Sequence, residues 1–247
     1  MKLCVFIPAY KCEKTIASVI EDLPPKIRRI STILVVDDGS PDKTSEAVKD
    51  YVKRTRASDV VLIRNEKNRG YGGAQKVAYR YAIDNGFDAV FMIHGDRQHN
   101  AEAMPDVLEK LKGNALSYGS RMLGNPRAGG MPLYKLIGNK TLTALENLLL
   151  GTRISEFHSG FRVYDCTLLK TLPFETLTDK YYFDTEMLIL IADRGYGITE
   201  TPIPTIYGPD SGYGIPFTDA VVYSLNVLKT VIAYKLSKYG ILKSKFA

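Results

Sequence analysis

Short apolar runs and amphipathic stretches alternate through the first half of the chain. Residues 3–7, 32–36, 60–63 and 89–93 are short apolar runs rich in β-branched side chains that read as strands of a covered sheet, and 116–120 reads as a fifth strand. Between them, 15–23, 43–55, 74–85 and 101–111 carry apolar positions at three- and four-residue steps, the spacing of helices with one buried face. Start signals mark two of these helices. Ser40, Pro41 and Asp42 stand before the second as cap, first-turn residue and complement to the helix dipole, and Asn100 stands before the fourth as cap. This order predicts an α/β fold, a mostly parallel sheet with helices on both faces.

The second half is less regular. Residues 124–132 are rich in Gly and Pro and read as a hinge or loop, 135–150 as a helix, 156–162 as a polar turn, the segment after Phe183 as another helix, and 207–216 as a further flexible loop. The expected organisation is a catalytic domain over 1–215, made of halves 1–123 and 124–215, followed by a helical tail over 216–247. In that tail Val221, Leu225, Leu228, Ile232, Leu236 and Tyr239 recur at helical spacing and form an apolar stripe. Core packing is one use of such a stripe.

Charge changes the picture there. The chain carries a formal +6, yet residues 220–247 hold five lysines (Lys229, Lys235, Lys238, Lys243 and Lys245) and no acid. These lysines alternate with Val, Leu, Ile and Tyr, a pattern that suits an anionic membrane surface better than nucleic acid. The expectation is a basic amphipathic helix lying on a membrane, with no nucleic-acid partner. An apolar fraction of 45% gives a globular core, and no apolar run approaches the ~18–20 residues a membrane span needs. Met1-Lys2 runs directly into an apolar segment broken by Pro8, unlike a signal peptide, and the three cysteines, odd in number and widely spaced, fit a reducing cytoplasm. The sequence is therefore expected to act in the cytoplasm, at the cytoplasmic face of a membrane.

Parallel sheets bind ligands beyond the carboxyl ends of their strands, and the chemically rich residues lie there. Pro8, Ala9 and Tyr10 follow the first run, Asp37 to Ser40 the second, and a stretch with Asn68, Gly70 and Gly73 the third; His94, Gly95 and Asp96 follow the fourth, and Arg121 the fifth. In an extended segment His94, Asp96 and Gln98 point the same way and can converge on a divalent cation holding a pyrophosphate; a polar loop after a core strand is the alternative. The glycines from 70 to 73 fit neither a dinucleotide fingerprint nor a P-loop.

These pieces, in this order, resemble the family 2 glycosyltransferases, and within them the dolichyl-phosphate mannosyltransferase-like, polyprenyl-phosphate glycosyltransferase group. The resemblance spans about residues 3–208. It rests on Ile7-Pro8-Ala9-Tyr10 with Thr15-Ile16, Val35-Val36-Asp37-Asp38-Gly39-Ser40, Asn68-Arg69-Gly70 with Gly73-Ala74, and His94-Gly95-Asp96-Arg97-Gln98-His99. Gly119-Ser120-Arg121, Ser159-Gly160-Phe161-Arg162, Phe183-Asp184-Thr185-Glu186 and Glu200-Thr201-Pro202-Ile203-Pro204 complete the set. The resemblance implies a GT-A fold, an inverting transfer from a UDP- or GDP-linked sugar to a polyprenyl phosphate, and Mg²⁺ or Mn²⁺. Two departures stand out. Lys11-Cys12 replaces the Asn-Glu often found after Tyr10, with Glu13 as a substitute, and His94 stands where the acidic metal motif usually begins with Asp.

The roles that follow are expectations. Asp96 is the principal metal ligand with Gln98 in support, and His94 contacts metal, phosphate or sugar. Pro8, Ala9, Tyr10, Glu13, Asp37, Asp38, Asn68, Gly70, Gly73 and Gly95 face the donor; Asp37 and Asp38 accept hydrogen bonds from base or ribose. Arg121, Lys135 and Asn139 hold the acceptor phosphate, the last two on one helix face. Arg162 reaches the donor diphosphate or braces the site. Asp184 and Glu186 bind sugar, act as base or hold Arg162. A phosphate acceptor is already anionic and needs no base, whereas a hydroxyl acceptor does. A transferase acting on a sugar hydroxyl and a silent nucleotide-sugar-binding module are the rival readings.

Overall fold

The structure, a computed structural model, describes residues 1–97, 99–205, 207, 217–243 and 246. The chain runs β1 (Leu3–Ala9), α1 (Ile16–Glu21), α2 (Pro25–Arg28), β2 (Ser31–Asp37), α3 (Thr44–Thr55), β3 (Val60–Arg64), α4 (Tyr71–Asp84), β4 (Ala89–Met92), α5 (Met104–Glu109), β5 (Leu116–Ser120), α6 (Leu133–Leu150), β6 (Arg162–Asp165), α7 (Cys166–Leu169), α8 (Phe183–Asp193), β7 (Ile198–Pro202) and α9 (Phe217–Lys238). The strands form one sheet in the order β3-β2-β1-β4-β6-β5-β7. All neighbours are parallel except β6, which runs antiparallel to both β4 and β5.

Strand alternation divides the core. Leu3, Val5 and Ile7 of β1 point to the face covered by α1, α3 and α5, while Cys4 and Phe6 point to the face covered by α4, α7, α8 and α9. Apolar runs buried on both sides are what a covered parallel sheet requires. Helix α8 is buried from Phe183 through Ile191, including its polar residues, so those side chains must find partners inside the protein.

Several elements differ from expectation. The segment read as the polar turn 156–162 ends in β6, and β7 is a further strand. β6 has four residues and opens on a fully buried arginine, and β7 (Ile-Thr-Glu-Thr-Pro) is mostly polar. Neither gives an apolar run. Helix α3 starts at Thr44, and Asp42 rather than Ser40 serves its first turn: Asp42 Oδ1 accepts from the Thr44 amide at 3.2 Å and hydroxyl at 2.6 Å. Asn100 caps as expected, accepting from the Glu102 amide at 3.0 Å, although the first turn is 3₁₀. The expected boundary at 215/216, the loop 208–216 and Lys245 lie outside the described residues.

The tail stripe has the expected period and lies mostly on the face turned away from the body. α9 packs on α6 and α8 through Val227, Thr230, Val231 and Tyr234, which are buried, whereas Val221, Leu225, Ile232 and Tyr239 are exposed. No helix among the described residues is long and apolar enough to cross a membrane.

Candidate active site

The carboxyl ends of β1, β2, β4 and β5 share one rim. Because β6 is reversed, its start joins that rim: Arg162 pairs in register with Met92 and Tyr118. The loop carrying Ser159-Gly160 is thereby delivered to the same edge as His94 and Arg121.

On the donor side the expected carboxylates are engaged by the protein. Asp37 Oδ1 accepts from the Ser40 amide at 2.9 Å and its Oδ2 from the Ser45 hydroxyl. Asp38 Oδ1 accepts from Asn65 Nδ2 and the Arg69 amide, both at 2.8 Å, and its Oδ2 from the Gly70 amide at 2.9 Å. Both residues lie at the rim, where they shape the loop after β3. Asn68 Oδ1 accepts from the Gly70 amide at 2.9 Å. Gly70 has φ +87°, and a Cβ there would collide with the Asp179 carbonyl; a Cβ on Gly73 would come within 2.7 Å of Arg69 Cβ. These glycines meet protein neighbours. Tyr10 is exposed, and Ala9 is buried with its carbonyl taking the Asp38 amide at 2.9 Å. Glu13 Oε2 accepts from the Lys43 amide at 3.2 Å. A Cβ on Gly95 would meet Cys12 Sγ and the Pro8 carbonyl, each at 3.2 Å.

A cavity of about 740 Å³ brings most other predicted residues together: His94, Asp96, Arg121, Lys135, Asn139 and Asp184 all line it. Tyr71, Tyr134, Tyr181, Tyr207, Leu142 and the α9 residues Val221, Tyr223 and Leu225 form much of the remaining wall. Arg121 is held by Glu156, which is fully buried. The Arg121 amide donates to Glu156 Oε2 at 2.7 Å, Nε donates to Oε1 at 2.8 Å, and Nη2 donates to the same Oε1. Nη2 also reaches the His158 carbonyl at 3.1 Å, and Nη1 the Tyr207 hydroxyl at 3.4 Å. Burial, the largest influence, pushes the Glu156 carboxyl up, but the Arg121 charge and the hydrogen bonds from that residue together outweigh it and the net shift is downward. Asn139 Nδ2 donates to Glu156 Oε1 at 3.0 Å, so it completes the arginine's seat. Lys135 Nζ lies 5.5 Å from the Tyr207 ring centroid; burial, then the Arg121 charge, lowers its pKa.

Under the cavity, Arg162 is fully buried, donates Nε to the Ser159 carbonyl at 2.8 Å and lies 3.7 Å from Asp184 Oδ2. Its Nη2 also donates to the Phe157 carbonyl at 3.2 Å. Asp184 also accepts from Gln75 Nε2 at 3.0 Å and from the Tyr71 hydroxyl at 2.9 Å. Glu186 is fully buried, outside the cavity wall, and its Oε2 takes the Thr178 amide at 2.7 Å. His94 sets Nε2 3.0 Å from the Tyr71 hydroxyl, so that nitrogen is not open to a cation; burial, ahead of the opposing Asp96 charge, lowers the pKa of the ring. His99, also on the wall, stacks on Phe161 at 5.4 Å. His158 Nδ1 meets the Tyr223 hydroxyl at 2.9 Å and links α9 to this floor.

Whether a metal fits depends on Asp96. Among the described residues no group of three or more His, Cys, Asp or Glu stands ready to enclose an ion. A hard cation such as Mg²⁺ is bound through one or two carboxylates with substrate phosphates and water completing its shell. Asp96, half-buried on the wall of a cavity that also holds cationic groups, suits that mode. The turn that presents it is tight: Arg97 adopts φ +61° and its guanidinium pairs with Asp22 at 2.8 Å. Gln98 lies outside the described residues.

Sequence reading missed Glu156, Tyr71, Tyr207 and the α9 wall. Glu156 is in the noted polar turn, but its partner is 35 residues away. Tyr71, between the glycines of the loop after β3, reads locally as a turn aromatic.

The family model for glycosyl transferase family 2 matches residues 4–172. The chain belongs to glycosyl transferase family 2. It is thus a glycosyltransferase of GT-A-like fold, as the ordered motifs implied. It is 29% identical over 240 residues to the UDP-N-acetylglucosamine–dolichyl-phosphate N-acetylglucosaminyltransferase of Methanococcus voltae, a match covering 91% of this chain and 95% of that one. It is 28% identical to the undecaprenyl-phosphate mannosyltransferase of Micrococcus luteus, over 82% of this chain and 83% of the relative. Its fold is shared with glucosyl-3-phosphoglycerate synthase from Mycobacterium tuberculosis, crystallised with Mn²⁺, UDP and phosphoglyceric acid (TM-score 0.68, 22% identity, 98% of this chain and 80% of that chain).

Proposed function

We propose that this glycosyltransferase moves a sugar, with inversion, from a nucleotide-diphosphate sugar to a polyprenyl phosphate at the cytoplasmic face of a membrane. The observation that carries the reading is one cavity lined by Asp96, Arg121 and Lys135 and walled in part by apolar side chains of α6 and α9. Such a space suits two phosphate-bearing ligands and a lipid chain. The lipid-phosphate acceptors named for two relatives support the same class.

These residues have distinct tasks. Asp96 holds Mg²⁺ or Mn²⁺, which when bound stabilises the diphosphate leaving group as a Lewis acid. Arg121 and Lys135 attract and orient the acceptor phosphate. Glu156 keeps the guanidinium in place and neutralises part of its charge, so Lys135 supplies the excess positive charge. The phosphate monoester is anionic at neutral pH and attacks without a general base. Asp184, tied to Arg162, Gln75 and Tyr71, acts here as a structural anchor of the sugar pocket.

Leu133, Tyr134 and Ile137 of α6 and Val221, Val222 and Leu225 of α9 are exposed beside the cavity. With Lys229 exposed on α9, this face supports a membrane-lying role for the tail and its neighbour α6.

The test is transfer of radiolabelled sugar from UDP- and GDP-linked donors to short-chain polyprenyl phosphate. A butanol-extractable, mild-acid-labile product, lost in Asp96→Ala, is expected. Transfer only to a sugar hydroxyl would replace this reading with glycan assembly. Neither transfer nor donor hydrolysis would favour a silent binding module. In a thermal-shift screen with Mn²⁺ or Mg²⁺, the matching nucleoside diphosphate at 100 times its Kd stabilises by about 2.7 kcal/mol.

A further inference from the structure

The residues of the motif that opens at Glu200 do not line the cavity. Strand β7 sets Glu200 in register with Tyr118, which in turn pairs with Arg162, so the three side chains share one face of the sheet. Three donors meet on the Glu200 carboxylate. The Tyr118 hydroxyl donates to Oε1 at 2.6 Å, the Ser155 amide to both oxygens at 3.0 Å, and the Ser155 hydroxyl to Oε1. A carboxylate only accepts, so Ser155 spends the one proton of its hydroxyl there. Toward Ser120 Oγ, 2.6 Å away, Ser155 Oγ can then only accept, and Ser120 must be the donor. Ser120 Oγ in turn accepts from the Leu123 amide at 3.3 Å. Donation therefore runs from the backbone beyond Arg121, through Ser120 and Ser155, to Glu200. The next residue, Glu156, takes the Arg121 amide at 2.7 Å and its Nε at 2.8 Å. Ser155 and Glu156 thus grip residues 120–123 at adjacent points, and Glu200 holds the first of the two.

We propose that Glu200 is a positioning residue for Arg121: it fixes Ser155, and with it the backbone that carries Glu156, and so aims the guanidinium that receives the acceptor phosphate. The phosphate role rests on the lipid-phosphate reading above; the hold on Arg121 is a property of the free protein. The position calls for an acceptor with several lone pairs and no proton of its own, because three donors converge on it. Glutamine keeps one such oxygen and turns an NH₂ toward the Ser155 amide in place of the other. Alanine leaves the Tyr118 hydroxyl and the Ser155 amide without this partner and releases the backbone at 155–156. A displacement of about 1 Å in a group that orients substrate costs up to about 10²-fold in rate.

The first arm of the test needs no ligand. In a ¹H–¹⁵N spectrum of the full chain, the Nε–H signals of Arg121 and Arg28 are assigned by their loss in Arg121→Lys and Arg28→Lys. Both protons are held by carboxylates, those of Glu156 and Asp59. Arg28, just before β2 begins, reports on the opposite edge of the sheet and is the control for general loosening. Expected in Glu200→Ala is solvent exchange about tenfold faster than wild type at Arg121, with Arg28 unchanged and Glu200→Gln within about threefold of wild type. Unchanged exchange at Arg121, or equal acceleration at both arginines, overturns the proposal. The second arm is steady-state transfer to short-chain polyprenyl phosphate, with UDP and GDP binding measured by calorimetry in Mn²⁺. Ser155→Ala severs the chain while leaving Glu200 in place. It and Glu200→Ala should each raise the acceptor KM about tenfold while the nucleotide Kd stays within about twofold, and Glu200→Gln should recover most of the loss. An acceptor KM that does not move, or a nucleotide Kd that weakens as much as the acceptor KM, overturns the proposal. If wild type transfers to no lipid phosphate, the acceptor reading falls, and the exchange result alone decides whether Glu200 holds Arg121.

Discussion

The two ends of the sheet's rim satisfy their charges in opposite ways. At the β1–β2 end, Asp37 and Asp38 are bound mainly by amides and small side chains of neighbouring loops. At the β5–β6 end, a buried carboxylate and a nearly buried guanidinium, brought together across 35 residues, satisfy each other. The first arrangement shapes a loop from the backbone outward. The second concentrates paired charge at a cavity wall, where losing one partner exposes the full desolvation cost of the other. Substitutions at the β5–β6 end should therefore disturb folding first, and those at the β1–β2 end should mostly loosen donor binding.

The largest expected effect is Glu156→Ala, which strands Arg121 and should cost about 3–5 kcal/mol in urea unfolding. Equal stability in the variant would mean the pair is not a supporting element. The pH dependence has a defined sign. The carboxyl titrates lower in the folded state than when unfolded, so its contribution is complete above the unfolded glutamate value and is lost as pH falls through the folded one. Glu156→Gln should flatten that acid limb of the unfolding midpoint. Next in size, Asp96→Ala should lower transfer by about 10²–10³-fold, measured as kcat at saturating donor. At the β1–β2 end, Asp38→Ala removes the acceptor for two amides and the Asn65 side chain and should cost about 1–3 kcal/mol, with donor affinity falling more than acceptor affinity. An equal loss for both ligands would erase the distinction between the ends. Smallest for folding is Leu225→Ser on the exposed face of α9: stability should stay within about 0.5 kcal/mol, while partition onto anionic lipid vesicles falls by about tenfold, the transfer cost of one leucine.

The same contrast explains what could be read in advance. Strands β1 to β5 and the chemistry at their ends follow from local runs and residue types, and Asp96, Arg121, Lys135 and Asn139 do meet in one cavity. Local pattern could not show which acidic residues reach the cavity, so Asp37, Asp38 and Glu186 read alike with Asp96 although only Asp96 of these four lines it. It also could not reveal β6, whose four residues begin with a buried charge, or the partner of Glu156. In α9 the periodicity was legible, but which of two apolar faces meets the body depends on the shape of α6 and α8. Val227, Val231 and Tyr234 face inward there, leaving Val221 and Leu225 outward.

The reversal of β6 has one more consequence. The excursion from Ser120 to Arg162, with α6 in its middle, leaves and returns at the same edge of the sheet. Helix α6 is therefore a handle with both grips inside the reaction chamber. One grip lies beside the Arg121 guanidinium and the other at the serine–glycine turn, so the excursion is tied to the rim at both of its ends.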